Sequence, residues 1–98
     1  MSDDGDDILP GHDLVKQGTL DLSENRVTDL SLLMLIAGPR LRRLGIQVPD
    51  RPSSRPFEHQ LYERLEHRLG PAAHSYYNSL IRRIVSYSRA LERERSRS

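Results

Sequence analysis

Val27, Leu30, Met34, Ala37, Leu41 and Leu44 recur at intervals of 3, 4, 3, 4 and 3. That period follows the turn of an α-helix and not the two-residue alternation of a strand. Inside the stretch, Leu30 to Ala37 is apolar on nearly every side except at Ser31, so it has to be covered by the rest of the fold or by another chain. Asp21 or Ser23 is the expected N-cap of this first helix. Pro39 lacks an N–H and crowds the turn before it, which predicts a helix kinked or broken near Gly38-Pro39.

Two more helices follow from the same reasoning. Residues 45–56 hold three prolines and two serines and read as a linker. Pro56 suits the first turn of a second helix, with Ser54 or Arg55 as its cap, and Phe57, Leu61, Leu65 and Leu69 follow at four-residue spacing. Gly70-Pro71 ends that helix. The third runs from about Pro71 to Arg93 on a stripe of Ala73, Tyr77, Leu80, Ile81, Ile84, Val85, Ser88 and Leu91. The expected fold is therefore all-α, a three-helix domain over residues 13–93. Ahead of it, residues 1–12 read as a disordered acidic leader, and behind it residues 94–98 as a flexible polar Arg/Ser tail.

With 98 residues the chain supports one modest core. It has no cysteine, so disulfides and thiolate metal sites are ruled out, and a reducing, cytoplasmic setting is the expectation. The start, Met1-Ser-Asp-Asp-Gly-Asp-Asp7, is acidic where a secretory signal is basic and then apolar, and no apolar run is long enough for a membrane helix. Charge is unevenly placed. Residues 1–29 carry eight acids and two bases, a net of −6, whereas residues 30–98 carry thirteen bases and six acids, a net of +7. The bases alternate with Glu through most of the second half, as on solvated helix faces.

Few residues suggest chemistry. His59, Glu63 and His67 stand at i, i+4 and i+8 on the second helix, but no matching acidic or histidine cluster occurs on another element, so no metal and no cofactor is assigned. There is no glycine-rich phosphate loop and no triad motif. No catalytic residue is assigned.

Leu69-Gly70-Pro71, between the second and third helices, resembles the turn of a DNA-binding helix-turn-helix, although Glu66 stands where that family places a small residue. That resemblance implies a nucleic-acid surface on the third helix, with Arg82, Arg83 and Arg89 meeting phosphates.

A second resemblance spans more of the chain. Asp29-Leu-Ser-Leu32-Leu33-Met-Leu35-Ile36-Ala37-Gly-Pro-Arg40, then Gly45-Ile46-Gln-Val48-Pro-Asp50 with Arg55, then Ile84-Val85, Ser88 and Glu92, together resemble the small all-helical chorismate mutases. The resemblance implies a helical fold and a dicarboxylate pocket served by Arg40, Arg42 or Arg43, Arg55 and Glu92. The lysine that the family carries late in its first helix has no counterpart, and Pro56 stands where the family has Glu.

The leading expectation rests on the apolar run. Leu30, Leu32, Leu33, Met34, Leu35 and Ile36 present more apolar surface than two short helices cover, which predicts a protein-interaction module that self-associates or docks on a larger protein partner. A nucleic acid is the alternative partner, and no membrane is involved.

Overall fold

The computed structural model describes residues 9–97. It is all-α, as expected from the sequence, and no strand occurs among the described residues. The elements are α1 (His12–Ser23), α2 (Asp29–Arg43), α3 (Phe57–Leu69), a single 3-10 turn (Gly70–Ala72) and α4 (Ala73–Arg97). The three helices read from the apolar spacing are α2, α3 and α4. In front of them stands α1, which the spacing did not reveal.

Most of the leader expected over residues 1–12 lies outside the described residues. Its last part is structured: Leu9 packs against the core, the His12 N–H donates to the Leu9 carbonyl at 3.0 Å, and α1 begins at His12. At the other end α4 continues through Arg97, beyond the expected end at Arg93.

Helix α2 starts at Asp29, not near Asp21 or Ser23. Its cap is Thr28, whose Oγ1 accepts the Ser31 N–H at 3.0 Å while Ser31 Oγ accepts the Thr28 N–H at 2.8 Å. That reciprocal pair satisfies two amides that a helix start otherwise leaves open. Asp21 instead closes α1 onto this cap: its carboxylate accepts from Thr28 Oγ1 at 2.7 Å and from Gln17 Nε2 at 2.9 Å. Those two hydrogen bonds hold the Asp21 carboxyl below its ordinary pKa. Past Pro39 the helix runs unbroken to Arg43, with the ring on the exposed side. For α3 the cap position is Pro56, with no side-chain cap from Ser54 or Arg55.

The core draws on all four helices. Leu33, Met34, Leu41, Leu61 and Leu65 are fully buried, joined by Leu14, Leu22, Leu80, Ile84 and Tyr87, and Val48 of the long linker closes one side. Gly18 sets how near α1 and α2 come. A Cβ there would stand 2.7 Å from the Leu30 carbonyl oxygen and would run into Met34 Cγ, so only glycine permits this approach.

Two arginines fasten the linker. Arg42 Nη1 donates to the Val48 carbonyl at 2.8 Å and Arg51 Nη2 to the Leu22 carbonyl at 2.7 Å. Asp29, at the start of α2, accepts from Arg68 Nη2 at 2.6 Å and from Arg64 Nε at 3.3 Å, tying α2 to the last turns of α3. Burial alone would raise the Asp29 pKa, but the two guanidiniums outweigh it and the net shift is downward.

Candidate nucleic-acid interface

The apolar run that motivated a protein partner is largely inside the domain. Leu32, Leu33 and Met34 are buried, and Leu30, Leu35 and Ile36 are half-buried against the same core. The apolar spacing alone predicts two neighbouring helices for this segment. The third, α1, lies along α2 through Gly18 and covers what two could not.

Outside that core, α4 carries a set of exposed cations. On α4, Arg82, Arg83 and Arg89 are all exposed. At about 100° per residue, Arg82, Arg89 and Arg93 fall within about 40° of one another, opposite the buried stripe of Ala73, Leu80, Ile84 and Tyr87. Ser75, Asn78 and Ser86 share this outer face and are exposed as well. Arg82, Arg89 and Arg93 make no hydrogen bond or ion pair among the described residues, while Arg83 makes one long contact, 3.4 Å to the Asp13 carboxylate. A cavity of about 300 Å³ lies beside them, lined by Pro10, Gly11, Ser79, Arg82, Arg83 and Ser86.

A signal for this face was present in the sequence. Residues 67–91 contain no Asp or Glu, so the alternation of bases with Glu seen elsewhere stops where α4 turns outward. Arg93, one helical turn beyond Arg89, completes the row. A face of Arg, Ser and Asn, with Glu92 only at its edge, suits phosphate oxygens, which take charge-assisted bonds from guanidinium and ordinary ones from hydroxyl and amide groups.

Several other cations are engaged, whereas Arg40 and Arg43 on α2, like the α4 row, make no ion pair among the described residues. Arg26 pairs with Glu24, Arg55 pairs with Glu63, and Arg64 and Arg68 share Asp29. The Arg55 guanidinium holds the Glu63 carboxyl below its ordinary pKa. Arg55, Glu63, Arg64 and Arg68 border a cleft of about 580 Å³ between α2 and α3, which Val27 and Leu32 also line. His59, Glu63 and His67 all lie on the exposed side of α3, and among the described residues no group of three His, Asp or Glu is placed to hold a metal ion.

The residues that the chorismate mutase resemblance points to do not gather in one cavity described above. Arg55 borders the cleft between α2 and α3, whereas Arg42 borders another, of about 920 Å³, between α1 and residues 45–49. The turn at Gly70 is tight, with φ of 56° at the glycine and a 3-10 turn before α4.

Compared with protein-family models, curated proteins and solved structures, the chain matches none. No helix among the described residues is long and apolar enough to cross a membrane.

Proposed function

We propose that this chain is a nucleic-acid-binding helical module that lays the outer face of α4 along a sugar-phosphate backbone. The observation that carries the reading is the exposed row Arg82, Arg89 and Arg93, flanked by Arg83 on one side and bordered by Glu92 on the other, with no acid between residues 74 and 91 of α4. From Arg82 to Arg93 the row extends about 16 Å at 1.5 Å per residue, enough to meet successive phosphates of one strand. Guanidinium contacts to phosphate fix position without reading bases, so binding is expected to be indifferent to base sequence. The helix-turn-helix resemblance agrees on which helix faces the ligand, although the contacts proposed here lie along its length and not only at its start.

The test is fluorescence anisotropy with a labelled single strand and a labelled duplex. The Arg82→Ala, Arg89→Ala double variant is expected to lose about tenfold or more in affinity for both probes. Arg26→Ala, which removes a cation already paired with Glu24, is expected to leave affinity unchanged. Equal affinity in the double variant and the parent chain would overturn the reading.

A protein partner is the second reading, moved from the covered apolar run to the cleft between α1 and residues 45–49. Leu20 there is 47% exposed and stands beside Ile46, Val48 and Pro49. Leu20→Asp is expected to abolish any concentration-dependent self-association seen by light scattering, while leaving nucleic-acid affinity as it is.

A further inference from the structure

The chain has four tyrosines, and packing accounts for all but one. Tyr87 is buried, and Tyr62 and Tyr77 are half-buried with ring centroids 5.4 Å apart. Tyr76 on α4 is 42% exposed and makes no ring contact among the described residues. A single exposed ring is ordinary by itself. Its position relative to the arginines is not.

Tyr76 and Arg83 are seven residues apart, which on a helix puts them within about 20° of one another and about 10 Å apart along the axis. Ser79 stands between them on the same side and lines the cavity of about 300 Å³ together with Arg82, Arg83 and Ser86. Elsewhere the helical serines spend their hydroxyls locally: Ser23, Ser88 and Ser96 each donate to a carbonyl of the preceding turn. Ser79 and Ser86 make no hydrogen bond among the described residues, so both hydroxyls are open to a ligand oxygen beside two guanidiniums. The acid that does reach this group, Asp13, contacts Arg83 at 3.4 Å with both side chains exposed.

A strand whose phosphate sits among Ser79, Arg82 and Arg83 carries its bases past the Tyr76 ring. In a duplex those bases are paired and stacked inside, and the ring has no free base to cover. In a single strand a base can turn out and lie on it. We propose that Tyr76 is a stacking platform for an unpaired base, which makes the α4 face selective for single strands over duplexes. The inference rests on the proposed nucleic-acid reading and names its substrate class. Stacking tolerates any base, so the selectivity concerns strandedness and not sequence. It neutralises no phosphate, so it adds affinity without adding to the salt dependence.

The experiment uses the full chain, which has no tryptophan, so Tyr76→Trp supplies a sole indole for fluorescence. Titration with an oligothymidine single strand is expected to quench that indole, and titration to saturation with a duplex of the same length to leave it unquenched. In anisotropy, Tyr76→Ala and Tyr76→Leu are both expected to bind the single strand about tenfold more weakly than the parent chain, the order of one base–aromatic stack. Their duplex affinity and their salt slope are expected to stay as in the parent, and Tyr76→Phe is expected to bind as the parent does. Single-strand binding without quenching, or an equal loss for both probes in Tyr76→Ala, would overturn the stacking proposal and leave the backbone reading standing. Quenching by the single strand with an affinity unchanged by Arg82→Ala, Arg89→Ala would instead overturn the backbone reading and keep the ring as the contact. Absence of binding by either probe at low salt would remove both.

Discussion

At Gly18, glycine is required by the space between two helices. A methyl group there would meet the Leu30 carbonyl oxygen and Met34, so Gly18→Ala is predicted to destabilise the fold by about 1 kcal/mol or more, even after the helix-propensity gain of roughly 1 kcal/mol is set against the overpacking. Urea unfolding monitored by circular dichroism measures it. Leu33, fully buried on α2, gives the opposite defect: Leu33→Ala leaves a cavity and is predicted to cost about 2–5 kcal/mol in the same assay. Asp21 adds a pH dependence. Its folded pKa lies below the ordinary 3.8, so the stabilisation it supplies is complete above that value and is lost as pH falls through the lower, folded pKa. Asp21→Asn is therefore predicted to lower stability at pH 7 and to flatten the acid limb of the stability profile. An acid limb of the same steepness in the variant would contradict this.

Among the elements, α3 and α4 were legible because their buried positions are filled by apolar residues at helical spacing. Phe57, Leu61, Leu65 and Leu69 mark one face, and Ala73, Leu80 and Ile84 the other. Helix α1 was not legible for a physical reason. Its buried positions include Gly18 and Asp21 between Val15 and Leu22, and a glycine and a carboxylate break the apolar period even though both are inside. That omission put the expected partner surface on buried residues, since Leu32, Leu33 and Met34 look uncovered only when α1 is absent. In the same way Asp21 reads as a cap from sequence because nothing local reveals that Thr28 and Ser31 cap each other. The Arg row on α4 was partly legible: Arg82, Arg83 and Arg89 were visible as cations, but that Arg82 and Arg89 line up with Arg93 on the outer face depended on which side of α4 is buried. Pro39 gives a prediction at this scale. It sits inside an unbroken α2 with no N–H to give the Leu35 carbonyl, on an exposed position, so Pro39→Ala is predicted to raise stability by about 1–3 kcal/mol by restoring that bond. Loss of stability in this variant would show that the ring is needed for the path of α2.

Across the whole molecule, charge and packing separate. The buried interior uses all four helices, Arg64 and Arg68 of α3 are tied to Asp29 and Arg55 to Glu63, and Arg82, Arg89 and Arg93 of α4, like Arg40 and Arg43 of α2, make no ion pair among the described residues. The donors that the chorismate mutase resemblance calls on border different clefts, and no acceleration of chorismate rearrangement above the uncatalysed rate is predicted in a direct absorbance assay at high protein concentration. Turnover lost on Arg55→Ala would contradict that. Contact between α4 and a phosphate backbone through about four arginines is read out by the affinity of the unmodified chain for a single-stranded probe over a range of salt concentrations. A straight line of log affinity against log salt with a slope of about −3 is expected, from roughly 0.7 per phosphate neutralised on a single strand. Absence of binding at the lowest salt, or an affinity that does not change with salt, would contradict it.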